Sequence, residues 1–121
     1  MLFQFLRRQA QGPAGQVIHY EDGQKDTERG AFLAQEDGVT IGRLTYEWAD
    51  ETTFAILHTI VEPRHEGKGI ARALVDAAAR YARENDKRIR AICPYVVAQF
   101  TRHREYDDIN ADYSPTTGVS L

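Results

Sequence analysis

Thr53-Phe-Ala-Ile-Leu-His-Thr-Ile-Val61, Glu62-Pro-Arg-His-Glu-Gly-Lys-Gly69 and Ile70-Ala-Arg-Ala-Leu-Val-Asp-Ala-Ala-Ala-Arg-Tyr-Ala-Arg-Glu84 form one continuous stretch in which the hydrophobic period changes. The first segment is apolar on both faces, with Phe54, Ile56, His58 and Ile60 on one and Ala55, Leu57 and Val61 on the other, the pattern of a central strand. In the third, Ile70, Leu74, Ala77, Ala78 and Tyr81 fall on one helical stripe, while Arg72, Asp76, Arg80 and Arg83 lie off it. An amphipathic helix is therefore expected from about Gly69 to Glu84. Between strand and helix, Gly67 and Gly69 remove Cβ atoms just where the first helical N–H groups have no partner.

Working outward, Asn85-Asp86 stops the helix, Arg88 to Cys93 reads as a short strand, and Pro94 suits the first position of another helix reaching about His103. A strand, helix and strand at this spacing make a right-handed crossover, so Thr53–Val61 and Ile89–Cys93 are expected to be parallel neighbours. Upstream, Val17–Asp22 and Ala31–Gln35 read as hairpin strands around a polar turn over Glu21–Glu28, the second closing at Glu36-Asp37-Gly38. Along Val39–Trp48 the apolar positions are first odd (Val39, Ile41) and then even (Leu44, Tyr46, Trp48). That phase flip across Gly42-Arg43 is what a bulge produces. The expectation is an α/β (α+β) domain over residues 13–109 in the order ββββαβα: a mostly antiparallel, twisted sheet with one parallel βαβ crossover. Residues 1–12 show no convincing period, and 110–121 are rich in Ser, Thr, Pro, Gly and Asn, so a flexible extension and a flexible tail are expected.

A chain of 121 residues with 42% hydrophobic content can bury one core. No run approaches the ~20 apolar residues of a membrane span, and Met1–Arg8 places its charges after a short apolar run, unlike a secretory signal. A cytoplasmic protein without membrane association follows as the expectation. The single cysteine, Cys93, excludes an internal disulfide. A net charge of -3 argues against a nucleic-acid partner. No metal site is expected, and a monomer is, because no coiled-coil pattern or long apolar patch demands a partner. Locally, Arg64, His65, Lys68 and Arg72 cluster in an acidic chain and could receive an anion.

Together with the helix dipole, that cluster makes a pyrophosphate the natural guest of the glycine loop. A Walker loop would continue Gly-Lys-Ser/Thr, whereas Lys68 is followed by Gly69 and Ile70, which argues against nucleotide hydrolysis. The dinucleotide fingerprint wants a small residue where Arg72 stands, and the loop follows several strands rather than opening the fold. Taken alone, the two glycines fit a plain structural turn as well as an anion site.

The motif Arg64-x-x-Gly67-x-Gly69-x-Ala71 after a strand resembles the coenzyme A loop of the GNAT acetyltransferase superfamily. His58-Thr59-Ile60-Val61, Tyr81-Ala82-Arg83, Cys93-Pro94-Tyr95-Val96 and Glu105-Tyr106 are similar to the minimal GNAT-like, YjdJ-type N-acetyltransferase domains. The likeness spans about Val17 to Ile109; the chain departs from it in the additional N-terminal dozen residues and in His103-Arg104-Glu105, where proline is expected before the glutamate. The resemblance implies acetyl-CoA as cofactor. Backbone groups of Ile60 and Val61 would hold its pantetheine arm, and those of Arg64, Glu66, Gly67, Lys68, Gly69, Ile70 and Ala71 its pyrophosphate. The acetyl group would pass to an unidentified amine acceptor, a small molecule or a protein lysine. The alternatives are a non-catalytic acyl-CoA-binding sensor or carrier and, if the loop is only a turn, a protein-interaction module.

For such a transfer the amine must lose a proton, since a lysine-like amine of pKa ~10.4 is free in only about one molecule in 2500 at pH 7. His58 is the leading base, because imidazole titrates near neutrality; Glu62 and Glu66 are further options. The competing reading of His58 is a hydrogen-bonded core histidine on an apolar strand face. Cys93, beside Pro94 near a helix N-terminus, reads either as a nucleophile that carries the acetyl group or as a small buried hydrophobe, with the amine attacking directly. With His58 and Cys93 ending neighbouring parallel strands, both are expected to approach the thioester from the same edge. Tyr95 and Tyr106 could protonate the leaving thiolate or simply pack. Trp48 belongs with the core or its rim, and Arg80, Arg83, Lys87, Arg88 and Arg90 with a solvated face.

Overall fold

Aromatic side chains of neighbouring strands gather on one face of the sheet, where the rings of Phe32 and Phe54 meet Tyr81 of the long helix, and that meeting defines the core. The computed structural model of the protein describes residues 5–12, 15–22 and 29–115. Its elements are β1 (Phe5–Gly12), β2 (Gly15–Asp22), β3 (Arg29–Glu36), β4 (Val39–Trp48), β5 (Thr53–Val61), α1 (Ile70–Glu84), β6 (Arg88–Ala91) and α2 (Pro94–Arg102). The strands form one sheet in sequential order, antiparallel from β1 to β5 and parallel between β5 and β6. The α/β class, the mostly antiparallel sheet and the single parallel crossover are as expected.

One strand more precedes α1 than the expected order contains. Residues 5–12, expected to be a flexible extension, pair with β2 along their whole length, from Phe5↔Asp22 to Gly12↔Gly15. A backbone ladder needs no hydrophobic period of its own, which is why composition did not reveal this strand. The expected turn over 21–28 lies outside the described residues from position 23 onward, as do positions 1–4, 13–14 and 116–121. At the other end, Ile89 N–H donates to Ile109 O (2.7 Å) and Ala111 N–H to Ile89 O (2.8 Å). The segment expected to be loose from 110 therefore begins by covering the outer edge of β6.

The helical stripe is buried as expected, but so are Val75, Ala79 and Ala82. The buried face is wider because α2 and the 3-10 turn Arg104–Tyr106 join the same cluster through Val96, Phe100 and Tyr106. On the sheet side, Phe32, Leu44, Tyr46, Phe54 and Ile56 complete the core. The Tyr46 ring lies 4.6 Å from that of Phe54 and 5.7 Å from that of Phe32, and its hydroxyl shares a 2.7 Å hydrogen bond with His19 Nε2. Tyr46 crosses the neighbouring strand at Gly30, where a Cβ would collide with its ring and hydroxyl. At Gly42 a Cβ would lie 3.0 Å from Ile70 Cγ2 and 3.3 Å from Leu74 Cδ1, so the start of α1 rides close on β4.

Two bulges set which residues face which side. Ala34 pairs with Gly42 and Gln35 with Thr40, which leaves Ile41 as an extra residue, one position from the expected phase flip. The second was not expected: Thr45 pairs with His58 and Tyr46 with Ile56, so Leu57 is extra. It divides the face on which Phe54, Ile56, His58 and Ile60 were expected together. Phe54 and Ile56 are buried under α1, whereas His58 is exposed and Ile60 is 62% exposed on the opposite face. His58 is therefore not a core histidine.

Gly30→Ala is expected to cost about 1–3 kcal/mol through this overpacking, a fall of several degrees in melting temperature. Denaturant unfolding checks it; unchanged stability would mean that Tyr46 has room to move.

Candidate active site

Parallel pairing of β5 with β6 runs only from Thr53↔Arg88 to Ile56↔Ala91, although β5 continues to Val61. The pairing ends where Ile92 N–H and Cys93 N–H both donate to the Ile56 carbonyl, at 3.1 and 2.9 Å, and the chain turns into α2. Beyond that point β5 has an open edge. Glu62 N–H donates to Ile41 O (2.8 Å), and strand alternation then turns the peptide groups of Ile60 toward β4 and those of Thr59 and Val61 toward the opening. On the α1 side this edge walls a cavity of about 420 Å³ whose lining runs from Thr59 and Tyr95 to Gly67, Gly69 and Ala71.

The loop reaches the helix through the 3-10 turn Pro63–His65, then Gly67 at φ +82° and Gly69 at φ +83°. Both φ values lie in the left-handed region that glycine adopts without strain. Gly69 is the N-cap and no side chain caps the helix, so the first-turn N–H groups remain open. His65 pins the turn, its Nδ1 2.9 Å from Glu62 Oε1 and its Nε2 3.3 Å from Glu36 Oε1 on β3.

Of the four clustered basic residues, Arg64 and Lys68 are exposed and make no ion pair among the described residues. His65 is engaged with its carboxylates, and Arg72 turns away to the C-terminal turn. Its Nε donates to the Tyr106 hydroxyl (2.6 Å) and its Nη2 to Glu105 Oε2 (2.9 Å). The Tyr106 hydroxyl donates in turn to Asp76 Oδ1 at 2.5 Å, and burial, reinforced by Asp76, pushes the phenol well above its ordinary range. Arg83, on the solvated face as expected, makes a second clasp, on Asp108 (2.8 Å) and the Glu105 carbonyl (2.7 Å). Tyr106 is thus a buried strut between α1 and the C-terminal turn.

Tyr95, by contrast, lines the cavity, and burial raises its pKa, with Arg72 opposing and Asp76 and Cys93 adding to the shift. It stays a phenol, able to donate. Cys93 is 5% exposed at the N-cap of α2, and its thiol donates to Thr59 Oγ1 at 3.6 Å.

Val61, Glu66, Gly67, Gly69, Ile70 and Ala71 all line the cavity, with Arg64 and Lys68 on the same loop. Ile60 departs from expectation, its side chain on the far face and its backbone toward β4. His58 and Cys93 do not approach from the same side: the Leu57 bulge puts His58 on the face away from α1, while Cys93 joins Thr59 on the cavity side. Thr59 was missed. It stands one residue after His58 in the motif, but a strand read without the bulge assigns it to the wrong face. Among the described residues, no helix is long and apolar enough to cross a membrane and no group of ligands could hold a metal ion.

A sheet whose two parallel strands part beside a glycine-rich helix start defines a GNAT-like domain. A family model described as GCN5-related N-acetyl-transferase matches residues 31–109, and the chain belongs to that family. Among solved structures, a GCN5-like protein from Staphylococcus aureus superposes with a TM-score of 0.59 at 24% identity, over 72% of this chain and 86% of that one. The ribosomal-protein-alanine N-acetyltransferase of Brucella melitensis biovar Abortus 2308 gives 0.52 at 28% identity, over 72% of this chain and 68% of the other. An IAA acetyltransferase from Bacillus cereus shares the fold at a TM-score of 0.51 and 20% identity; the match covers 64% of this chain and 53% of that one. No curated protein matches.

Tyr106→Phe should lower stability by about 1–3 kcal/mol, since Arg72 and Asp76 each lose a partner. Denaturant unfolding of the variant tests this; unchanged stability would mean that the Tyr106 hydroxyl is not part of the strut.

Proposed function

We propose that the chain is an acetyl-CoA-dependent N-acetyltransferase acting in the cytoplasm, as a monomer, on an unidentified amine, either a small molecule or a protein lysine. The observation that carries this reading is the open edge of β5 leading directly to an uncapped helix start. A ligand with an amide-bearing arm joined to a pyrophosphate suits both halves of that surface. Peptide groups of Thr59 and Val61 would meet the arm. First-turn N–H groups of Ile70 and Ala71, with Arg64 and Lys68, would meet the phosphates, which Gly67 and Gly69 let approach for want of Cβ atoms.

Bound there, acetyl-CoA would supply an activated thioester at the end bordered by Thr59 and Tyr95. Tyr95, half-buried in the cavity lining and protonated, would donate to the departing sulfur. His58 stands on the opposite face of β5, so the amine would approach from that side and give its proton to the imidazole. Cys93 is enclosed and already bonded to Thr59, which supports direct transfer to the amine over an acyl-cysteine relay.

Acetyl-CoA at ~100 times its dissociation constant should stabilise the protein by about 2.7 kcal/mol, a rise of several degrees in melting temperature that ATP and NAD do not reproduce. No rise with any ligand would reduce the glycine loop to a turn. His58→Ala is expected to lower transfer to a panel of a polyamine, an amino sugar and a lysine peptide by about 10²-fold or more, with acetyl-CoA affinity kept. If wild type binds but acetylates none of these, the sensor or carrier reading gains; unchanged turnover in the variant would remove His58 from the chemistry.

A further inference from the structure

Thr59 presents an aliphatic hydroxyl to the cleft. After the extra residue at Leu57, Thr59 is where β5 turns a polar side chain toward the cavity, and it sits where the two strands part. Its Oγ1 accepts the thiol proton of Cys93. A hydroxyl has one proton and two lone pairs, so an incoming donor on one lone pair leaves the hydroxyl proton free to turn elsewhere. The cavity is the open direction. With phosphates held at Gly67 and Gly69, the sulfur end of coenzyme A belongs at the Thr59 end of the same cavity.

We propose that Thr59 donates a hydrogen bond to the sulfur of coenzyme A, with Cys93 as the positioning residue that orients it; this rests on the cofactor reading above and deepens it. In the transfer, the amine nitrogen bonds to the thioester carbonyl carbon and the C–S bond breaks, its electron pair passing to sulfur. The Thr59 hydroxyl bonds to that sulfur as negative charge builds, when a donor counts most. The thiolate takes its proton from the Tyr95 hydroxyl, the amine's proton goes to His58, and both side chains re-equilibrate with water. The net products are the acetylated amine and the free thiol, and Cys93 remains a thiol throughout.

The test compares calorimetric affinities of coenzyme A and desulfo-coenzyme A at about pH 7 and about pH 10. Their ratio removes whatever titration of Cys93, Tyr95, His65 and Glu66 around the cavity and of His58 on the opposite face does to both ligands alike, leaving what acts on the ligand's own sulfur. In wild type the ratio should shift about tenfold toward coenzyme A at the higher pH, equivalent to lowering the bound thiol's pKa by about one unit. Thr59→Val, nearly the same shape, should lose the shift, while Thr59→Ser keeps it. Melting temperatures close to wild type for both variants confirm that the fold is intact. The proposal is overturned if Thr59→Val keeps the shift, if Thr59→Ser loses it too, or if Tyr95→Phe alone abolishes it. Wild type that binds both ligands with no pH-dependent shift overturns the role of Thr59 but leaves the cofactor reading standing; binding of neither overturns both.

Discussion

One extra residue, Leu57, lets β5 do two jobs that a regular strand cannot combine. Up to Ile56 the strand is paired on both sides and buried under α1; beyond it, only β4 remains as a neighbour. Strand alternation is strict, so without the bulge Thr59 would face away from α1 and Ile60 would project into the cavity. The bulge exchanges them, putting a hydroxyl and the peptide groups of Thr59 and Val61 at the opening. The Ile56 carbonyl completes the arrangement, because by accepting two N–H groups it ends the parallel ladder without leaving either donor unpaired.

A parted pair of strands is useful only if the helix start is held beside it. Burial does most of that: each of Ile70, Leu74 and Val75 contributes about 1.5–3 kcal/mol, against ~0–1 for an exposed ion pair such as Arg83 with Asp108. The close approach at Gly42 fixes how near α1 lies to β4. The arginine clasps are weaker, but they are directional and tie α1 to the C-terminal turn. Arg72 is thereby withdrawn from the anion cluster, so the charge available to a phosphate comes from Arg64 and Lys68, both at the mouth of the loop.

Where hydrophobicity alternated with a clear phase, the sequence was readable. The α1 stripe, the parallel crossover and the shift near Gly42 all followed from it. The Leu57 bulge left no such trace, because β5 is apolar on both faces in its first half and a change of phase between two apolar faces alters nothing in the pattern. The arginine and tyrosine clasps were equally silent, since Tyr106 meets Asp76 thirty positions away in sequence. Hence the loop residues could be named from sequence, whereas the sides taken by His58, Ile60 and Thr59 could not.

The same geometry bears on the order of proton movements. The proton leaving the amine and the proton reaching the sulfur would travel on opposite faces of β5, one handled by an exposed imidazole and the other by a shielded phenol. A base and an acid side by side could exchange the proton directly, and the amine would then compete with Tyr95 for His58. Separation by the strand removes that short circuit. Burial holds Tyr95 protonated against the opposing charge of Arg72, while His58 lies exposed on the other face. The bulge that brings Thr59 into the cleft is also what carries His58 out of it, so both features of the proposed chemistry trace to the same inserted residue.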